Sequence, residues 1–497
     1  MEKCLHNHLH INNDDFLPTR LLHLRVDNDG ELSLRLIETK NAKVNRLYLW
    51  ERGYVALSHT WGMNTMLRTT KANLQSHLIG IPTKSLSRTF RDAIDTCKAL
   101  RFNYLWIDSL CIIQDDKDDW FKEAQIMGDV YANAYLTIAA SAARDGSEGF
   151  LNDRVIARPI QLGGPQPFFA TDGVTLENDA DKSPLNSRAW VFQERILSPR
   201  TLHFTKCQAY WECRDSEVQQ EIGYSAGIKR WGFVFDLSWG PETEFPNAWR
   251  EIVDSYSLRE LTYETDRLIA LTGLIKRLSM LLSHFGDEYQ YFYGMWKHQL
   301  PKALVWLSTG SRHLRTPAAC WHAPSWSWAG HNGPIRSLTR TFWKPAMQIL
   351  QLPPAAIFAE DGTKDAPLLV RAQLRELPTI GQETHRHPEC LEEILYGLEV
   401  RAQQDFEFQS LVGDDGDNIG WVALDQGPKS SSRYQDCWCA LTCYEPHIKG
   451  AAYPHHFALV LQPVDENSET EFIRIGLACI EVPGWFVNTP EKDFIIL

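Results

Sequence analysis

Nothing in this chain reads as a membrane segment: no run reaches eighteen apolar residues, and the opening Met1-Glu-Lys-Cys-Leu-His-Asn-His-Leu-His10 holds no hydrophobic core for a secretory signal. A cytoplasmic protein with no membrane span is expected. Basic charge is also short, with 50 Lys and Arg against 63 Asp and Glu and a net charge of −13. Neutralising a phosphate backbone needs a basic face, so no nucleic acid partner is expected. The eleven cysteines are odd in number and scattered, which fits reduced thiols better than a disulfide framework. GxGxxG, GxxxxGK before Ser or Thr and HExxH are all missing, leaving phosphate cradles and zincins without a motif.

What the chain does have is length and aromatic bulk. Its 497 residues are too many for one ordinary core and imply two or three domains. Eighteen tryptophans promise large aromatic contacts in cores and at binding surfaces.

The stretch from Tyr54 to Ala143 organises the rest. Tyr54-Val-Ala-Leu57 is a short apolar run that ends abruptly in Ser58-His-Thr-Trp-Gly62, and Tyr104-Leu-Trp-Ile107 repeats the design before Asp108 and Cys111. Each suits a buried parallel strand whose carboxyl end opens onto a site, where ligands of open α/β sheets sit. Between them, Phe90, Ala93, Ile94, Cys97 and Leu100 recur at helical spacing and predict the crossover helix that parallel strands require. Asp115 to Asp119 favour the amino end of a second helix, with Trp120, Ala124, Met127, Tyr131 and Ala134 as its buried stripe, and Tyr135 to Ala140 reads as a third strand. Upstream, Leu21 to Arg25 and Glu31 to Ile37 alternate around Asp27-Asn-Asp-Gly30, a hairpin able to extend the sheet edge. Residues from Asn247 to Leu282 look helical. Beyond about residue 365, runs such as Pro367–Ala372, Gly420–Leu424, Cys437–Thr442, Phe457–Leu461 and Phe472 to Val482 read as strands of a barrel or sandwich.

Tyr54-Val-Ala-Leu-Ser-His-Thr-Trp-Gly62, Tyr104-Leu-Trp-Ile-Asp-Ser-Leu-Cys-Ile-Ile-Gln114, Trp120 to Ala134 and Arg188-Ala-Trp-Val-Phe-Gln-Glu194 together resemble the heterokaryon-incompatibility (HET) domain of filamentous fungi. Leu261-Thr262, Asp266-Arg-Leu268 and Ala323-Pro-Ser-Trp-Ser-Trp-Ala329 look like the segments that follow it, so the likeness spans roughly residues 50 to 330. The fold it implies is an α/β domain with a TIR-like or flavodoxin-like parallel sheet, a helical middle region and a β-rich C-terminal domain. The division is then 1–49 as an extension with a hairpin, 50–215 as the HET domain, 216–345 as a mainly helical continuation and 346–497 as the β-rich part. The resemblance implies non-self recognition (allorecognition) and programmed cell death, with self-association or other incompatibility proteins as partners.

Three readings of the chemistry stay open. By analogy with the TIR fold, where a Glu in a Trp-containing segment serves NAD-cleaving members, Glu194 with Trp190 would act on NAD as a substrate, with no cofactor required. A carboxylate beside Trp190 and Phe192 is also a candidate for a raised pKa on its own chemistry. Alternatively, Cys111 with His59 and Asp108 would make a thiolate nucleophile in a small-molecule biosynthetic enzyme, since a neighbouring His and a following helix amino end both lower a thiol pKa. In either enzymatic reading, Ser58, Trp61, Gln114, Arg188, Trp190 and Gln193 would line the substrate site. The third reading is a non-catalytic interaction module in which these side chains only satisfy one another. Cys437, Cys439, Cys443, His455 and His456 do not follow a standard zinc spacing, so no metal is expected. Trp321 to Trp328 reads as a core wedge before it reads as a ligand pocket.

Overall fold

The structure is a computed structural model, and it describes residues 16–26, 32–40, 53–62, 66–153, 159–160, 168–169, 176–214, 219–220, 242, 244–308, 323–331, 333–338, 342–356, 366–385, 408–425, 436–445, 455–465 and 468–497. The chain divides into two compact units, one formed by Met1–Asp236 with Ala270–Lys276 and the other by Leu237–Ile269 with Arg277–Leu497.

The first unit is built on four short parallel strands: β3 (Val55–Ser58), β4 (Tyr104–Trp106), β5 (Leu136–Ala139) and β6 (Arg200–Phe204). β3 pairs with β4 on one side and β5 on the other, and β5 pairs with β6, so the parallel order is β4-β3-β5-β6. β3, β4 and β5 are buried along their whole length, as both-face coverage of a parallel sheet demands. The expected parallel sheet is in fact mixed. β1 (Arg20–Val26) and β2 (Leu32–Glu38) form an antiparallel hairpin that joins the β4 edge, while β7 (Ala209–Cys213) and β8 (Gln219–Gln220) extend the β6 edge antiparallel. The hairpin thus does extend the sheet; its turn at Asp27–Gly30 lies outside the described residues.

Helices α1 (Arg88–Ala99) and α3 (Lys117–Asn133) supply the crossovers. α1 begins at Ser87, whose side chain accepts from the Phe90 amide, and it buries Phe90, Ala93, Ile94 and Cys97. α3 begins at Asp116, whose carboxylate accepts from the Asp118 and Asp119 amides, so the acidic run caps the helix as its charge predicts. Between them, the single turn α2 (Asp108–Cys111) follows β4 directly. Helix α4 (Ala189–Leu197) precedes β6 and carries the segment around Glu194.

α3 also meets the Ala270–Lys276 segment backbone to backbone. A Cβ on Gly128 would stand 2.5 Å from Gly273 Cα, and one on Gly273 would stand 2.5 Å from Gly128 Cα. Gly128→Ala is therefore expected to cost about 1–3 kcal/mol by overpacking. A thermal melt reads this as a drop of several degrees, whereas Gly80→Ala, with open space around its Cβ, should leave the melt unchanged. An unchanged Gly128→Ala melt would contradict the close approach.

The second unit opens with the helix Glu244–Ser257, which buries Trp249, Ile252, Val253 and Tyr256. The helix Thr272–Leu282 comes next in sequence, counted with the first unit as far as Lys276, and among the described residues between 283 and 337 short 3-10 turns and two-stranded pairs replace helix. Residues 264–285 are the one described segment long and apolar enough to cross a membrane by composition, but its regular α-helix runs only over Thr272–Leu282. The C-terminal part is β-rich. Five strands close a hydrogen-bonded ring: Leu368–Glu376 pairs with Glu491–Ile496, then come Glu471–Ile480, His456–Pro463 and Trp438–Tyr444, which returns to Leu368–Glu376. Trp326 and Trp328 are buried in this unit, their indoles donating to the carbonyls of Ala366 and Gly294, which makes them core. Trp321 and His322 lie outside the described residues.

Candidate functional site

Four parallel strands in the order second-first-third-fourth begin a doubly wound sheet, whose topological switch point lies between β3 and β5. β3 ends at Ser58, and the groups that cluster there come from the ends of β3 and β4, from α3 and from α4.

Glu194 is the centre of that cluster. Its side chain lies inside α4 at 3 % exposure, and Ser58 Oγ donates to its Oε2 at 2.5 Å. The Tyr131 hydroxyl, which donates to the Leu57 carbonyl at 3.1 Å, also reaches this carboxyl. Burial pushes the Glu194 carboxyl up to about 7; the Ser58 hydrogen bond and the Arg188 charge pull the other way, and Asp108 adds to the rise. Glu194 is therefore partly ionised at neutral pH, which is unusual for a carboxyl and useful for proton transfer.

This position has a consequence for stability. A carboxyl whose folded pKa lies above its unfolded value of 4.5 destabilises the fold at high pH; that cost is absent below about 4.5 and complete above about 7. Between pH 4 and pH 8, wild type is expected to lose about 3 kcal/mol relative to Glu194→Gln, from about 1.4 kcal/mol per pKa unit. Urea unfolding of both proteins at the two pH values checks it, and parallel pH profiles would contradict it.

A second group surrounds His59, which is 2 % exposed. Its Nε2 stands 3.7 Å from Asp108 Oδ1 without a hydrogen bond, its ring packs edge-on against Phe90, and burial lowers its pKa, so the imidazole is neutral. Asp108, the first residue of α2, accepts from Trp61 Nε1 at 2.8 Å and from the Ser109 amide at 2.6 Å. Arg188 donates to the His59 carbonyl at 2.5 Å, tying α4 to the end of β3. Ser58, His59, Trp61, Asp108, Arg188 and Glu194 thus come together, as strand ends and a following helix allow.

The remaining candidates take other places. Cys111 is wholly buried, and burial pushes its thiol up to about 12, so it is protonated rather than a thiolate. Gln114 donates to the carbonyls of Asp108 and Ile112 and closes the turn after α2. Gln193 Oε1 accepts from the amides of Gly273 and Leu274 at 2.6 and 3.2 Å, satisfying the amino end of the Thr272–Leu282 helix. Trp190 stands edge-on to Trp120 against the sheet core. In the second unit, Cys437, Cys439 and Cys443 are buried thiols, the last two on the strand Trp438–Tyr444, His455 pairs with Glu445 at 2.9 Å, and His456 stacks on Tyr444. Among the described residues no cluster of three His, Cys, Asp or Glu side chains is placed to hold a metal.

Sequence reasoning passed over several members of this region. Tyr131 was visible only as part of a helical stripe. Arg20, in the hairpin, donates to the Cys111 carbonyl at 2.6 Å and pairs with Asp119 at 2.5 Å, a buried tie that no local pattern signals. A narrow cleft lies beside β5 and β6, lined by Ser58, Thr137, Ser141, Arg195, Thr201 and His203.

The first unit is thus a doubly wound α/β domain with a buried acid cluster at its switch point. Residues 54–194 match the family model described as Heterokaryon incompatibility protein (HET), so the chain carries a HET domain, and that family points to a heterokaryon-incompatibility type of function. No curated protein and no solved structure matches the chain.

Proposed function

We propose that this chain is a cytoplasmic HET-domain protein of non-self recognition and programmed cell death, acting by cleavage of the nicotinamide–ribose bond of NAD. The observation that carries this reading is Glu194: a buried carboxyl held by Ser58 at the carboxyl end of β3, with its pKa raised to about 7. In the reaction, the glycosidic C–N bond breaks and nicotinamide leaves with the electron pair. The Glu194 carboxylate stabilises the ribosyl cation, then accepts the proton of the water that attacks the anomeric carbon. Half-buried Trp61 offers a ring face to a base, while Arg188 and Asp108 hold the loop around the substrate. Self-association or another incompatibility protein is the proposed trigger.

The test is expression in a fungal host. Wild type is expected to deplete cellular NAD and stop growth, while Glu194→Gln at equal abundance does neither. Growth arrest with NAD unchanged would overturn the cleavage step and leave the incompatibility reading standing.

One observation favours a second reading, the non-catalytic module. Glu194 and His59 are nearly inaccessible at 3 % and 2 % exposure, and Glu194 is bonded within the fold. In that case the Ser58–Glu194 pair only staples α4 to β3, and Glu194→Gln changes stability without changing NAD.

A further inference from the structure

Exposure falls inward in steps at the carboxyl end of β3. Trp61 is half-buried, the Asp108 side chain is 17 % exposed, and His59 and Glu194 are closed off from solvent. One carboxylate joins these layers. Asp108 Oδ2 accepts from the Trp61 indole at 2.8 Å, its Oδ1 lies 3.7 Å from His59 Nε2, and its charge reaches Glu194. The indole is thus the outermost of these groups, held by its one N–H.

The packing around this latch carries a cost. His59 Nε2, Thr60 Oγ1 and Ser109 Oγ are buried with no hydrogen-bond partner among the described residues. A buried polar atom without a partner has lost its hydration uncompensated, which is why such atoms are rare in a relaxed interior. All three belong to residues that flank the latch: His59 and Thr60 lead into Trp61, and Ser109 follows Asp108. Water reaching them would relieve that cost. The backbone on either side is anchored, because Arg188 donates to the His59 carbonyl and Gly62, at φ +68°, packs so closely that a Cβ there would collide with Asp145. Between the two anchors, the Trp61 side chain is the part that can swing.

We propose that the Trp61 side chain is a gate over the Glu194 site, latched on Asp108 when shut, and that its outward swing admits the substrate and wets His59, Thr60 and Ser109. The gate has a function only if Glu194 acts on a substrate, as proposed, and it gives NAD a way to a carboxyl that is otherwise out of reach. Opening breaks the Trp61–Asp108 hydrogen bond and no other bond described at the site.

The test reads the gate without the reaction. The folded full chain is treated with a water-soluble carbodiimide and glycine amide, and the adduct on Glu194 is followed by peptide mass. Glu194 reacts only while the gate is open, so its labelling rate reports the open population. Trp61→Phe keeps a ring but loses the donor and is expected to raise that rate about three- to tenfold, the change that one lost hydrogen bond supplies. Trp61→Ala raises it further. Urea well below the unfolding midpoint leaves the wild-type rate unchanged, because rotating one side chain exposes little surface. Circular dichroism and thermal melts verify folding, and if Trp61→Ala fails to fold, Trp61→Phe decides. Equal rates in wild type and Trp61→Phe, no labelling of Glu194 in any protein, or a rate that climbs with urea as global unfolding does would overturn the gate. Labelling reads the gate and nicotinamide release reads the chemistry, so either can fail alone.

Discussion

Glu194→Gln is expected to abolish nicotinamide release from NAD, a loss of at least about 10²-fold and up to about 10⁴-fold, the range that a positioned proton-transfer group supplies. The substitution keeps the volume of the side chain and an acceptor for the Ser58 hydroxyl, so it removes charge and basicity and little else. The carboxylate is the acting form, and burial places its titration at about 7. Release is therefore expected to rise with pH through about 7 and level off above it. Ser58→Ala moves that midpoint upward, because the Ser58 hydrogen bond pulls the Glu194 pKa down. A pH profile flat from 5 to 9, or one that Ser58→Ala leaves in place, would contradict the assignment.

The largest expected effect on stability is at Arg195. Its guanidinium lies buried between Asp181 and Glu212, with His203 bonded to the same Glu212 oxygen that Arg195 Nε reaches. Arg195→Met fills similar space but leaves two carboxylates buried without their cation, at a cost of about 3–5 kcal/mol. The cost has a pH signature. In wild type the depressed Glu212 pKa gives stability that is present above its unfolded value of 4.5 and is lost as pH falls through the folded value. The variant lacks that stabilisation, so the gap between the two proteins is widest near neutrality and narrows in acid. Urea midpoints at pH 7 and pH 4 measure it, and equal midpoints at pH 7 would contradict a buried pair of carboxylates held by Arg195.

Much of this architecture was legible because local pattern and global position agree along β3, α1, β4, α3 and β5. Apolar runs of four residues ending in Ser58-His59 and in Asp108 left little choice but buried parallel strands, and the acidic run at Asp115–Asp119 marked the start of α3. In the C-terminal part, Leu368–Glu376, Asn418–Leu424, Trp438–Tyr444, His456–Pro463 and Glu471–Ile480 fall on the apolar runs seen in the sequence. Glu491–Ile496 and Thr379–His385 did not, because Glu491, Lys492 and Asp493 hide the first and polar residues fill the second. Strand pairing supplies what pattern lacks there.

The site was legible only as neighbourhood. Strand ends brought His59 near Asp108 and α4 brought Glu194 to Ser58, but the depth of each side chain is a tertiary property. Cys111 shows the difference: a helix amino end would lower its pKa, yet complete burial dominates and raises it. The buried network of Ser141, His203 and Glu212 carries no linear motif at all, since its members meet across β5, β6 and β7.

The central claim is that Glu194 acts on NAD, and incubation of the purified full chain with NAD tests it most directly. Nicotinamide is followed by chromatography alongside Glu194→Gln and Cys111→Ala, with all three proteins verified as folded. Release by wild type and Cys111→Ala, and none by Glu194→Gln, is the predicted result. Release that survives in Glu194→Gln, or no release from any of the three, would contradict it.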